Sequence, residues 1–123
     1  MTDLYQDIIL DRYKNPHNLG TIPNGIKVEE VNALCGDKIK IWLKVKKGII
    51  SDAKFQGSGC AISVSATDIL IDMIKGKKIT DIQQMSGSEI ENQMGIELTP
   101  VRKRCAYIGL EAIKRIKNSL SNL

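Results

Sequence analysis

Three cysteines are the residues of this chain best suited to chemistry, and each stands where a turn or helix is expected to begin. Glycine neighbours both Cys35 and Cys60, and a basic run, 102–104, precedes Cys105. Amide groups at a helix start and nearby cations both favour the thiolate. Thiolate is the form that binds iron or zinc, and the form that attacks a persulfide. The set therefore indicates a metal or sulfur-transfer site.

Packing is the alternative for each cysteine taken alone, because free cysteine is among the most buried residue types. The spacings between the three do not match a zinc finger, and an odd count does not make a disulfide framework. Asp37, two residues past Cys35, is a candidate oxygen ligand. Its alternative role is that of a turn residue, since aspartate favours turns through local hydrogen bonds.

The composition predicts one folded domain over 1–123, with 42% hydrophobic and 26% charged residues. The net charge of +4 permits acidic partners, nucleic acid included, without requiring one. Residues 1–5 lack the basic and apolar regions of a signal peptide, and no apolar stretch is long enough to span a membrane. We therefore expect a cytoplasmic protein with no membrane partner.

Periodicity predicts the elements that must position the cysteines. A helix is expected over 3–14, and strands over 26–33, 38–46 and 49–56. In the second strand the apolar and polar residues alternate, so one face should be buried. In the third, the residues expected to face inward are Ile49, Ala53 and Phe55.

Helical spacing resumes after the second cysteine. It predicts a helix over 61–75, closed by Gly76, and a last helix from Pro100 to about residue 118. The polar segment 80–93 is expected to hold short helical turns at best. Strands first and helices after give an α+β fold, a small antiparallel sheet of about three strands with helices packed on one face.

The chain resembles the iron–sulfur cluster assembly scaffolds of the IscU/SufU family, which is NifU N-terminal-like. The resemblance rests on separated motifs in one order. Residues 4–20 read LYQDIILDRYKNPHNLG, 32–37 read NALCGD, 48–60 read GIISDAKFQGSGC, and 98–106 read LTPVRKRCA. Lys75-Gly76-Lys77 matches the end of the intervening helix. The fold expected for that family agrees with the one predicted above.

The resemblance implies roles for particular residues. Cys35, Cys60 and Cys105 would ligate a transient 2Fe–2S cluster, with Asp37 beside it. Cys105 would be the candidate to accept persulfide sulfur from a cysteine desulfurase. An iron donor would add iron, and the cluster would pass to apo iron–sulfur acceptor proteins. On this interpretation the protein is a scaffold or carrier rather than an enzyme.

Position 104 departs from the IscU pattern, which often has histidine before the third cysteine. Arg104 offers no lone pair and cannot be a ligand. Arginine there is SufU-like, and it keeps open a zinc-bound sulfurtransferase that uses the same four residues. The interval 61–104, however, is short for the insertion usual in SufU proteins. The sequence alone does not decide between the two.

Three further positions carry open interpretations. Arg12 stands where the IscU type often has histidine. Leu98–Arg102 resembles the segment read by an Hsp70 chaperone, but Thr99 replaces a proline, so a simple loop and helix start is an equal alternative. His17, the one histidine, is expected to be a surface loop residue rather than a ligand.

The lysines of the second strand invite a nucleic-acid interpretation. They share the polar face with Trp42, as a phosphate and stacking surface would. A solvated face is the commoner explanation of such lysines, and nucleic acid is not an expected partner. A homodimer that shields the under-ligated site stays open.

Overall fold

The computed structural model describes residues 3–32 and 36–115. Within these ranges the elements follow in a simple order, a helix, three strands and four further helices. They are α1 (Asp3–Lys14), β1 (Ile26–Asn32), β2 (Asp37–Lys46), β3 (Ile49–Ser58), α2 (Ala61–Ile74), α3 (Ile79–Gln83), α4 (Gly87–Met94) and α5 (Pro100–Lys114). The predicted helix ends at 14 and 75 agree closely with this arrangement. Of the last helix, predicted to residue 118, the part beyond 115 lies outside the described residues.

The sheet is an antiparallel meander in the order β1-β2-β3. Along β2 the apolar residues Ile39, Ile41 and Leu43 are fully buried, and the lysines between them face outward. Helices α2 and α5 cover the buried face. The predicted α+β fold, with helices on one face of a three-stranded sheet, is confirmed.

One inward residue of β3 was predicted wrongly. Ile49 is 38% exposed, and its neighbour Ile50 is buried instead. A bulge is the cause, because Lys44 pairs with Asp52 while the next residue of β2 pairs with Ile50, which leaves Ser51 extra. An extra residue shifts the two-residue alternation by one, so every position before the bulge changes face.

Helix α2 lies at the centre of the fold, against the sheet, α1 and α5. It is buried on nearly all sides, so its polar residues need internal partners. Thr67 Oγ1 donates a hydrogen bond to the Ser63 carbonyl at 2.7 Å, and Ser65 Oγ donates to the Ala61 carbonyl at 2.5 Å. The helix therefore carries hydroxyl groups through the core without leaving them unpaired.

The segment 80–93 is more ordered than predicted, since it contains most of α3 and all of α4 except its last residue. Its apolar residues are few but fully buried, Ile82 and Ile90 among them. The Glu89 carboxylate accepts a hydrogen bond from the Ser86 backbone N–H at 2.9 Å, which is half of a capping box. Burial of Ile82 thus stabilises α3, and burial of Ile90 together with the Glu89 cap stabilises α4, although the composition of the segment is polar.

A buried carboxylate joins α4 to the start of α5. Glu91 accepts a hydrogen bond from the Tyr107 hydroxyl and another from the Leu98 backbone N–H at 3.2 Å. The Tyr107 bond is the main cause of a lowered Glu91 pKa. Burial, followed by the same hydrogen bond, raises the pKa of Tyr107 to about 12. Through these two hydrogen bonds, Glu91 ties α4 to the segment before α5 and to α5 itself, the helix that carries Cys105.

We expect Tyr107→Phe to lower the free energy of unfolding by about 1 kcal/mol near neutral pH, because Glu91 loses a buried partner. The Glu91 contribution exists above its unfolded pKa and is lost as pH falls through the lower folded value. The Tyr107 contribution exists below pH 10 and is lost as pH rises toward 12. Urea unfolding across pH measures both limbs. A difference between variant and wild type that stayed constant into acid would contradict the assignment.

Candidate metal centre

Three elements meet at one end of the sheet, where β2 begins. Asp37 is the first residue of β2, Cys60 is the N-cap of α2, and Cys105 lies in the second turn of α5. One carboxylate oxygen and the two Sγ atoms all lie within 4.8 Å of one another. Residues separated by tens of positions in the chain are thus close enough to bind one metal ion together.

Cys35, the first predicted ligand, lies outside the described residues. Its neighbour Gly36 adopts a φ of +72°, a left-handed conformation that favours glycine. The Gly36 N–H donates a hydrogen bond to the Asn32 carbonyl at 2.8 Å, which closes the turn into β2. Cys35 as a ligand stays a prediction.

Asp37 belongs to the strand rather than to the turn, and its side chain is directed at the cysteines. It is 1% exposed. Oδ1 accepts a hydrogen bond from the Cys60 backbone N–H at 3.1 Å, and Oδ2 lies 3.9 Å from Cys60 Sγ. A carboxylate buried beside two thiols suits a cation, because a buried charge needs an opposite charge or several donors.

The two described cysteines differ in exposure. Cys60 is half-buried, whereas Cys105 is 2% exposed. Ser63, which the sequence analysis did not single out, lies one turn into α2 and is fully buried. Its hydroxyl donates to the Cys60 carbonyl at 3.0 Å and lies 3.8 Å from Cys60 Sγ. A hydroxyl three residues after a cysteine at a helix start is the signal that could have found it.

Gly59 leaves the space that the Asp37 carboxylate fills. A Cβ at this position would lie 2.4 Å from Asp37 Oδ1 and 2.7 Å from Ser63 Oγ. Both distances are far inside van der Waals contact, so the carboxylate would have to move away from the cysteines.

We expect Gly59→Ala to weaken metal retention by at least about tenfold, because relieving these clashes shifts the backbone of the neighbouring ligand Cys60 together with Asp37. Gly48→Ala is the matched control. Gly48 also has positive φ, +76°, but a Cβ there meets nothing within 4 Å. Metal content after dialysis against a chelator measures the effect. Equal losses in both variants would show backbone strain rather than displacement of Asp37.

Comparison with known proteins identifies the family of this chain. Residues 4–119 match the model of the NifU-like N-terminal domain. The chain belongs to this family.

Two kinds of curated relative share this domain. The zinc-dependent sulfurtransferase SufU of Bacillus subtilis strain 168 is 35% identical over 129 aligned positions, which cover 91% of this chain and 88% of SufU. The iron–sulfur cluster assembly scaffold protein IscU of Escherichia coli strain K12 is 32% identical over 115 positions, which cover 89% of this chain and 88% of IscU. A relative named as a sulfurtransferase and a relative named as a scaffold are thus similarly identical to this chain, at 35% and 32%.

Solved structures agree on the fold. A SufU scaffold protein from Fervidobacterium islandicum AW-1 superposes with a TM-score of 0.78 at 26% identity, covering 89% of this chain and 93% of the other. A NifU-like N-terminal protein from Brucella abortus has a TM-score of 0.75 at 15% identity, covering 98% and 95%. The second likeness concerns the fold alone.

Arg104 lies beside the cysteine cluster of the NifU-like domain without being able to ligate. Its exposed side chain lines an open groove of about 510 Å³ between β1 and α5, together with Asn32 and Ile108. The groove also contains the ion pair between Arg115 and Glu30, 2.7 Å apart. Arg104 is therefore free of the core and available to a partner or an anion.

The segment Leu98–Arg102 is partly packed and partly accessible. Leu98 is 9% exposed and belongs to the core, while Thr99 is the N-cap of α5 and Pro100 its first residue. Val101 is 61% exposed. A protein partner could therefore reach the proline and valine, but not the leucine.

His17 is exposed, as predicted for a surface loop residue. It nevertheless lies within 4.8 Å of Asp68 and Asp72, a group that the sequence did not suggest. Arg12 contacts the Asp68 and Asp72 carboxylates at 2.7 and 2.5 Å. Partial burial disfavours the charged form of Asp72, yet the hydrogen bonds from Arg12 and Asn18 outweigh it and lower the Asp72 pKa. The Arg12 guanidinium already pairs with both carboxylates of this cluster.

Within the described ranges, no helix combines the length and apolar character needed to cross a bilayer.

Proposed function

We propose that this NifU-like N-terminal domain is a scaffold on which a labile 2Fe–2S cluster is assembled and from which it is transferred to apo-proteins. The ligands are Cys35, Cys60 and Cys105, with Asp37 as an oxygen ligand. The observation that carries the proposal is the convergence of Asp37, Cys60 and Cys105 within 4.8 Å, from three different elements. The Cys60 N–H gives the buried Asp37 carboxylate one hydrogen-bond donor, and a cation held between Asp37 and the two thiols would supply the opposite charge.

The proposed ligands suit a cluster that must be released to another protein. Stable clusters are usually held by four cysteines. Here Asp37 supplies a harder oxygen at one corner, and an acceptor thiolate can replace it by exchange. Cys60 is half-buried, so this side of the site is open to an incoming protein.

Sulfur delivery concerns the more buried thiol. We propose that Cys105 accepts sulfur from the persulfide of a cysteine desulfurase. The Cys105 thiolate attacks the outer sulfur, the S–S bond breaks, and the cysteine of the desulfurase leaves as a thiolate. Since Cys105 is 2% exposed, the docked desulfurase must open the start of α5 to reach it. Labelled sulfur found first on Cys60, by mass spectrometry of trapped peptides, would contradict this assignment.

A zinc-bound sulfurtransferase is the second candidate function. Three ligand atoms within 4.8 Å fit one tetrahedral ion, since zinc–ligand bonds are about 2.0–2.3 Å long. In this case the protein acts as an enzyme, and a cysteine leaves zinc to accept sulfur. Arg104 in place of histidine also agrees with a SufU-like protein.

Chain length favours the scaffold. The SufU alignment spans 129 positions, but 91% of this chain is about 112 residues, so about 17 positions of SufU have no counterpart here. The IscU alignment spans 115 positions for a similar share of the chain. The shorter IscU alignment supports the scaffold, whereas the SufU-like Arg104 supports the sulfurtransferase.

Anaerobic reconstitution tests the proposal. The reduced protein is mixed with ferrous iron, cysteine and a cysteine desulfurase, and visible absorption and metal per chain are recorded. Charge-transfer absorption that moves to an apo-ferredoxin supports the scaffold. Tightly held zinc, no coloured species, and labelled sulfur resting on one cysteine would replace it with the sulfurtransferase.

We expect Asp37→Ala to slow cluster release by about tenfold, because the exchangeable oxygen corner is gone. Asp37→Asn is the matched control, since its amide oxygen can still accept the hydrogen bond from the Cys60 N–H without the carboxylate charge. The decay of visible absorption on adding apo-ferredoxin gives the rate. Transfer from the alanine variant as fast as from wild type would count against a role for Asp37 in release.

The proposal extends to partners and location. It includes an iron donor, apo iron–sulfur acceptors, a chaperone contact at the accessible part of Leu98–Arg102, and a cytoplasmic setting. A homodimer that shields the site would appear in sedimentation of the cluster-loaded form.

A further inference from the structure

The outer face of the sheet carries a dense set of charged side chains. Helices cover the opposite face, and the outward side chains of β1, β2 and β3 form a continuous grid. The basic members of the grid are Lys27, Lys38, Lys40, Lys44, Lys46 and Lys54. The acidic members are Glu29 and Asp52. The face has a net charge of +4, equal to that of the entire chain, so the remaining charges cancel.

Few of these charges are neutralised internally. Lys38 pairs with Glu29 at 3.2 Å, and Asp52 lies 3.9 Å from Lys75. Among the described residues, no ion pair involves Lys40 or Lys44. The register places Glu29 opposite Lys40 and Asp52 opposite Lys44, so the acids offset part of the charge, and the excess of four lysines on the face suits an acidic partner.

Trp42 lies in the middle of this lysine face. It pairs across the sheet with Lys27 on one side and Lys54 on the other, and the Lys27 ammonium is 5.8 Å from the ring centroid. A half-buried tryptophan bordered by cations is typical of the centre of a binding surface rather than of its rim.

The lysine face and the cysteine site lie on opposite faces of the sheet and approach each other at the end where β2 begins, with Lys38 outward and Asp37 inward. A depression of about 260 Å³ opens at that end, lined by Lys38, Lys40, Gln56, Gly57 and Ser58. Lys38 follows Asp37 in the chain, and Ser58 comes two residues before Cys60. Two ammonium groups, an amide and a hydroxyl around one depression can hold a carboxylate.

We propose that this lysine face docks the acceptor protein through a surface rich in aspartate and glutamate, which places the acceptor cysteines at the end of the sheet where β2 begins, next to the half-buried Cys60. The inference rests on the proposed function for the identity of the occupant. Protein is favoured over single-stranded nucleic acid because the face offers one aromatic ring rather than a row for successive bases.

The test is a pair of charge-reversed variants with equal net charge. Lys40→Glu with Lys44→Glu alters the face, and Lys14→Glu with Lys77→Glu alters exposed lysines elsewhere. Binding of an acidic, tryptophan-free apo-ferredoxin at low ionic strength is followed by the fluorescence of Trp42, the single tryptophan of the chain. We expect the first variant to bind at least about tenfold more weakly and the control to change little.

Further arms separate the alternatives. Wild-type affinity should fall as salt rises, because exposed charges are screened. Thermal unfolding and cluster loading of each variant are measured without the acceptor, so a failure of the site is distinguished from a failure of docking. Milder Lys40→Gln with Lys44→Gln serves if the reversed variant misfolds. Equal losses in both reversed variants, no salt dependence, or tighter binding of single-stranded DNA than of apo-ferredoxin would overturn the proposal.

Discussion

We expect Cys60→Ala to lower the metal or cluster content from near stoichiometric to background, a loss in affinity of more than about 100-fold. Outer-shell changes at metal sites already cost about 10–100-fold, and removal of a ligand costs more. The same loss is expected for Cys105→Ala and Cys35→Ala. Metal analysis and visible absorption after anaerobic reconstitution measure it. This experiment also tests Cys35, which rests on the sequence alone.

Controls separate ligand loss from loss of the fold. His17→Ala changes an exposed residue of the Arg12 cluster and should leave the metal content unchanged. Cys105→Ala removes a small buried side chain, so its unfolding curve is recorded with its metal content. If Cys60→Ala retained its metal while His17→Ala lost it, the site would be at Asp68 and Asp72 instead, and the assignment of the cysteines would be wrong.

The second large effect concerns stability. We expect Asp68→Ala to lower the free energy of unfolding by about 3–5 kcal/mol, since it breaks a buried ion pair by removing one partner. Asp68 is fully buried, accepts a hydrogen bond from the Asn18 N–H at 2.9 Å and contacts Arg12 at 2.7 Å. These contacts tie α1 and the following loop to α2. Urea unfolding measures the change.

Asp72→Ala is the matched control, because Asp72 contacts the same Arg12 from a side chain that is 42% exposed. Exposed ion pairs are worth about 1 kcal/mol or less, so a loss of that size is expected. Similar losses from both variants would mean that burial of Asp68 contributes little. An Asp68→Ala protein that kept its stability but lost its metal would place this cluster in the function of the protein.

The loop after α1 shows how this network supports the sheet. The Asn18 carbonyl accepts a hydrogen bond from Phe55 N–H, and the Gly20 N–H donates to the Phe55 carbonyl, both at 2.9 Å. The loop thereby covers the outer edge of β3, which would otherwise be open to pairing with another chain. Arg12 contributes to this network because it pairs with both Asp68 and Asp72.

Much of the secondary structure, and the family, could be predicted from local sequence patterns. The alternation around Ile39 and Ile41 predicted a strand with one buried face, and glycine and proline marked the ends of the helices. The motifs around the three cysteines indicated the family. These features depend on neighbours in the chain, which sequence periodicity reports directly.

Tertiary structure decided what depends on distant residues. A bulge opposite Lys44 placed Ile50 rather than Ile49 in the core, and packing of Ile82 and Ile90 stabilised helices in a polar segment. The sequence named Asp37, Cys60 and Cys105, but only the meeting of β2, α2 and α5 places their ligand atoms within 4.8 Å. Spacing along a chain carries no record of such distances, because they are set by how strands and helices pack against one core.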